Sequence, residues 1–213
     1  MRCSQIQEKG QGFVIKSQSK LARFKEIAEN QCGVSVAEAA EYGISRKLLS
    51  NWAKAGKIQR VACGVYQLPS KVPDEMELLS LITPKIAFSH ESALFLNGIS
   101  ERCPVIYSVT LPSSATRPRF GGIALKTYYV REAWFEIGLE RQTTSSGGNV
   151  WCYNRERTIC DIIRSRSRVD EETIVDALRR YAASQVKDLN RLANYSRLFA
   201  VEKLVHERLG VLL

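Results

Sequence analysis

The chain has 213 residues, 45% hydrophobic and 25% charged, with a formal net charge of +9. That length allows one or two domains with a real core, and the composition is that of an ordinary soluble globular protein. No apolar run approaches the roughly 18 residues that span a bilayer. Polar Met1–Lys20 also lacks the apolar stretch of a secretory leader, so a cytoplasmic protein away from membranes is expected.

Residues 1–18 read as a flexible basic arm. Leu21, Phe24, Ile27 and Ala28 then recur at helical spacing within Ser19–Gln31. Ser35 and Glu38 have the spacing of a capping box for a short helix over Val36–Tyr42. Gly43 suits the left-handed conformation of a tight turn. Ser45 is a natural N-cap for a third helix running to about Ala55.

That third helix is two-faced. Leu48, Leu49, Trp52 and Ala55 are placed to pack inward, while Lys47, Ser50, Asn51 and Lys54 share one stripe. The stripe holds two cations, two short hydrogen-bonding side chains and no acid. Lys reaches guanine acceptors or phosphate, and Asn pairs with adenine. Arg46 stands at the helix N-terminus, which also favours phosphate. A solvated helix face is the competing reading, but such faces usually mix both charge signs.

Lys57–Val61 and Val65–Leu68 read as the strands of a hairpin turning at Ala62-Cys63-Gly64. Three helices and a hairpin give the order of a winged helix-turn-helix over residues 19–69. Ser45, Arg46, Lys47, Ser50, Asn51, Lys54, Lys57 and Arg60 are its candidate DNA-binding residues. For Lys57 and Arg60, edge-strand protection is the alternative. Charge is concentrated here: residues 1–72 hold 12 Lys and Arg against 5 Asp and Glu, residues 73–213 hold 19 against 17. A basic segment of that shape attracts nucleic acid.

Residues 74–213 form the second expected domain. Asp74 caps a helix over Glu75–Ile82, and Ile86–Phe88 leads at the N-cap Ser89 into a helix over His90–Asn97. Val105–Leu111, Ile123–Val130 and Asn149–Tyr153 read as strands, Trp134–Thr143 is ambiguous, and Gly121-Gly122 reads as a turn. Helices follow from Glu156 to the C-terminus. Strands first and helices afterwards suggest an α+β fold: the winged helix, then a mixed-sheet domain with several C-terminal helices.

Ser89, His90 and Glu91 have nucleophile, base and acid chemistry, but adjacent residues rarely converge. Ser89 reads better as an N-cap and His90 as a first-turn or structural histidine, so no catalytic residue is assigned, and no P-loop or dinucleotide fingerprint is present. Six scattered cysteines without a CxxC pair argue against a zinc ribbon or disulfide frame. They read as mostly semi-buried, reduced residues, and no metal or cofactor is expected. Arg157 and Asp161 have the spacing of a helical salt bridge within the Arg155–Asp161 block. Arg164, Arg166 and Arg168 follow, acid-free until Asp170, as a candidate second contact with DNA or a protein partner.

Several of these segments resemble the AbiEi-type antitoxins of bacterial type IV toxin–antitoxin (abortive infection) systems. The N-terminal resemblance lies in Tyr42-Gly43-Ile44-Ser45, Trp52–Ile58, Arg60-Val61 and Gly64-Val65-Tyr66. It continues in Phe88–Leu94 with Gly98, Val109–Pro112, Tyr153–Asp161 and Ala177-Leu178 with Tyr181, covering roughly Leu21 to Leu213. It implies that the first domain binds inverted repeats of double-stranded DNA in its own promoter and represses the operon. It implies further that the second counteracts a nucleotidyltransferase-like toxin, with or without direct contact. A nucleic-acid-processing enzyme with a winged-helix targeting domain is the alternative.

Overall fold

Short amphipathic segments closed by capping side chains build the first part of the chain. The computed structural model describes residues 20–83, 85–116, 123–210 and 212; the expected arm over 1–18 and the turn at Gly121-Gly122 lie outside them. Helix α1 spans residues 20–29. Strand β1 (Val34–Ser35), α2 (Val36–Glu41), α3 (Arg46–Lys54), β2 (Gln59–Ala62), β3 (Val65–Gln67) and α4 (Glu75–Ile82) follow. Ser35 caps α2 by accepting from the Glu38 amide at 3.1 Å. Glu38 sends its carboxylate to the Gln31 side-chain amide at 2.7 Å. Gly43 takes φ +70° between α2 and α3, a conformation that a Cβ disfavours.

Phe24 and Ala28 of α1, Ala39 of α2, Leu49 and Trp52 of α3, and Ile58, Tyr66 and Leu68 form one buried cluster. Phe24 and Trp52 meet edge to face at 6.1 Å. The strands form an antiparallel sheet in the order β1-β3-β2, with a register shift between Arg60 and Ala62. The two-residue strand β1, paired through Val34 to Tyr66 and Ser35 to Val65, is too short for any periodicity to announce. Ala55, expected to pack inward, is exposed as the C-cap of α3.

The chain divides after Ile82 into two units. Helix α4, grouped with the second domain by the sequence reading, therefore stands with the first. Its Glu77 carboxylate accepts from the Cys32 amide at 3.2 Å, and the Asp74 amide donates to the Cys32 sulfur at 2.8 Å. A Cβ on Gly33 would lie 3.4 Å from Leu78 of α4. Asp74 caps α4, accepting from Met76 and Glu77 amides at 2.9 and 3.1 Å.

The second unit runs β4 (Ala87–Phe88), α5 (His90–Leu96), β5 (Tyr107–Pro112), β6 (Leu125–Val130), α6 (Glu132–Phe135), β7 (Leu139–Thr143), β8 (Asn149–Tyr153), α7 (Arg155–Arg164), α8 (Glu171–Ala183), α9 (Leu189–Leu198) and α10 (Glu202–Leu209). Its five strands lie in the order β6-β5-β4-β8-β7. β5–β6 and β4–β8 are parallel, β4–β5 and β7–β8 antiparallel, so the sheet is mixed. The ambiguous stretch 134–143 resolves into α6 and β7. Val105, expected to start a strand, is 94% exposed and precedes β5.

Helices α5, α7, α8, α9 and α10 bury a common core around Ile159, Ile162, Ile163, Ile174, Leu178 and Tyr181. No helix of the described residues is long and apolar enough to cross a membrane.

Candidate nucleic-acid interface

α3 is held rigidly from behind. Leu49 and Trp52 are buried, and the Ser45 hydroxyl caps the first turn by accepting from the Leu48 amide at 3.3 Å. Lys20 Nζ donates to Gly43 O at 2.5 Å, tying α1 to the turn before α3. Arg23 lies over the Tyr42 ring at 5.0 Å.

The opposite face is open. Arg46, Lys47, Asn51 and Lys54 are exposed and Ser50 is half-buried. Beyond α3, Lys57 and Arg60 are exposed too, and Arg60 Nε donates to Ala62 O at 3.3 Å across the strand irregularity. Among the described residues none of these five cations forms an ion pair. In the second unit Arg102, Arg157, Arg164, Arg180, Arg191, Arg197 and Arg208 are ion-paired, whereas Arg166 and Arg168, among the described residues, are not. Unpaired cations with short amide and hydroxyl side chains between them can bond phosphate oxygens and base edges without first breaking an internal bond. Two candidates are already engaged: the Ser45 hydroxyl in the cap and Arg60 Nε on Ala62 O.

The Arg164–Arg168 cluster is split. Arg164 turns inward to Asp161 at 3.0 Å and lies 5.7 Å from the Trp134 and Phe199 ring centres. Arg166 and Arg168 are exposed.

The Ser89-His90-Glu91 run is a structural network: His90 is a buried first-turn histidine as expected, but Ser89 is not the capping side chain. Ser89 makes no capping bond to α5; its hydroxyl accepts from Thr110 Oγ1 at 2.8 Å and pairs with His90 Nδ1 at 3.0 Å. His90 Nε2 pairs with Ser165 Oγ at 3.0 Å, and the ring stacks on Tyr128 at 3.4 Å. His90 takes φ +47°, a region that His, Asn and Asp enter more readily than other side chains. Glu91 binds Lys126 at 2.7 Å and accepts from Ser108 Oγ at 2.6 Å.

Burial, and then the charges of Arg164, Lys126, Arg168 and Arg157, hold the His90 imidazole well below its ordinary value. Between that lowered value and about 6.5 the unfolded chain binds a proton that the folded chain refuses, so stability falls as pH drops through this window. The expected loss in urea unfolding reaches about 1.4 kcal/mol per pH unit below about pH 6.5. His90→Asn, chosen because Asn tolerates positive φ, removes that component. Identical pH profiles for the two proteins would refute the assignment.

Of the cysteines, Cys32, Cys152 and Cys160 are buried, while Cys63 and Cys103 are exposed. Burial pushes the Cys32 thiol up to about 11 and the Cys160 thiol up to about 12, so both stay protonated and unreactive.

Residues 14–69 match a family model described as "Transcriptional regulator, AbiEi antitoxin". The RV2827C protein from Mycobacterium tuberculosis, known from a crystal structure, shares the fold. It has 13% identity and a TM-score of 0.57 over 85% of this chain and 71% of that one. A search of curated proteins finds no match.

Proposed function

We propose that this chain is a DNA-binding transcriptional repressor of its own operon and an antitoxin. In this reading α1–α3 and β1–β3 form a winged helix-turn-helix, α3 lies in the major groove, and the turn between β2 and β3 is the wing. The observation that carries it is the exposed face of α3: Arg46, Lys47, Asn51 and Lys54, unpaired among the described residues and backed by a buried Leu49 and Trp52. The family match over residues 14–69 points the same way.

Lys47 and Lys54 then contact phosphate or guanine, Asn51 and Ser50 read base edges, and Lys57 and Arg60 touch the backbone beside the wing. The partner is double-stranded DNA carrying inverted repeats upstream of the chain's own reading frame. The second unit counteracts a nucleotidyltransferase-like toxin, with or without direct contact. Neither unit performs chemistry itself.

A mobility-shift titration of the full chain on its own upstream DNA, with and without magnesium, tests this. The expected result is a shift preferring that DNA over an unrelated duplex, with the DNA intact in both conditions. Cleavage, or equal binding to both duplexes, overturns the repressor and favours a nucleic-acid-processing enzyme.

A further inference from the structure

After α7 the chain makes a turn that is fastened at both ends. Ser165 caps α7 and its hydroxyl is held by His90 Nε2 at 3.0 Å. Arg168 and Val169 amides both donate back to Ser165 O, at 2.8 and 3.2 Å. Lys126 Nζ donates to Arg168 O, and Val169 is only 5% exposed. The Arg168 guanidinium lies 4.1 Å from the Tyr128 ring centre and donates through Nη2 to Thr127 O at 3.1 Å.

What the turn presents is Arg166, Ser167 and Arg168, all exposed. Neither arginine forms an ion pair among the described residues. The next acid, Asp170, is turned away to cap α8, accepting from the Thr173 amide at 3.2 Å. Arg168 spends one of its five donors on Thr127 and keeps the rest. A solvated loop has no need of such fastening. Fixing the turn in advance removes the ordering cost that binding would otherwise carry. Two guanidinia with a hydroxyl between them are the donor set that bonds phosphate oxygens.

We infer that the turn Arg166-Ser167-Arg168 is a second phosphate-contact element that grips the DNA backbone. This rests on the DNA-binding reading above. It narrows the earlier three-arginine cluster to two, because Arg164 is committed to Asp161.

The test is the salt dependence of affinity, measured on the full chain with a long duplex between about 50 and 200 mM salt. Each lost phosphate contact lowers the slope of log K against log salt by about 0.9. Arg166→Ala, whose side chain holds nothing in place, is expected to lower it by about that amount, and Arg166→Ala/Arg168→Ala by about 1.8. Arg102→Ala is the control for bulk charge, since Arg102 is 77% exposed and paired with Glu172; its slope should match the wild type.

An unchanged slope in Arg166→Ala and the double variant, with Lys54→Ala still lowering it, overturns the inference, leaves the α3 reading standing and points the turn at an acidic protein face. An equal drop in Arg102→Ala also overturns it. A full chain that shifts no duplex overturns both.

Discussion

Arg157→Met should destabilise the second unit by roughly 3–5 kcal/mol, the cost of removing one partner of a buried ion pair. Arg157 is wholly buried, with Nε on Asp161 at 2.9 Å. Nη1 donates to Trp134 O at 2.9 Å and Ile137 O at 3.0 Å, and the guanidinium lies 4.3 Å from the Tyr153 ring and 4.0 Å from Phe199. One side chain thus joins α7, the segment containing α6 and the aromatic core. Gly138 makes room for it: its φ is +74°, and a Cβ there would lie 2.8 Å from Arg157 Cβ.

Methionine keeps much of the volume but strands the Asp161 carboxylate, which is 1% exposed, with Arg164 as its remaining cation. Burial already raises the Asp161 carboxyl, opposed first by Arg157 and then by Arg164. With Arg157 gone the folded value rises further. The folded variant then holds a proton that folded wild type has already released, so the deficit relative to wild type deepens as pH rises above the range in which the wild-type Asp161 ionises. Removing both charges, as in Arg157→Met/Asp161→Leu, should recover most of the loss, because a packed apolar pair replaces a buried ion pair at little cost. Urea unfolding of the three proteins decides the matter. A single variant within 1 kcal/mol of wild type would falsify the account.

Lys47→Ala and Lys54→Ala should each flatten the salt dependence of DNA binding by about 0.9, because each removes one phosphate neutralisation. Asn51→Ala should behave differently. It removes no charge, so the slope stays, while discrimination between the chain's own upstream DNA and a duplex altered at one base pair falls by about 1–3 kcal/mol. All three side chains are exposed on a helix whose core contacts are Leu49 and Trp52, so folding should be untouched. Lysine variants that weaken binding at an unchanged slope would remove the phosphate assignment. An Asn51→Ala protein that still discriminates normally would remove the base-reading one.

The spans of α2, α3, β8 and the capped start of α4 were legible because each rests on local chemistry: a cap, a period, a turn residue. Asn149–Tyr153 needed only its short apolar run, Val150 to Tyr153. The features that stayed hidden depend on distant partners. β1 exists because Tyr66 and Val65 pair with it, and the sheet order β6-β5-β4-β8-β7 brings strands together across intervening helices. Ser89 has the composition of an N-cap, yet Thr110 and His90 claim its hydroxyl. Ala55 falls on the apolar stripe by spacing, but the helix ends before that position meets the core. On α3 the polar stripe itself could be read from spacing; the absence of ion pairs along it, and the diversion of Arg164 to Asp161, could not.

The attachment of α4 to the first unit decides where that unit can be cut. A fragment ending at Pro69 would strip Leu78 from Gly33 and Glu77 from the Cys32 amide. It would also lose Lys71, whose Nζ donates to Glu29 O at 2.5 Å and Gln31 O at 3.1 Å at the end of α1. The piece that can be transplanted, fused to another effector or shuffled between genes as a self-sufficient unit therefore ends at Ile82, well beyond its last strand.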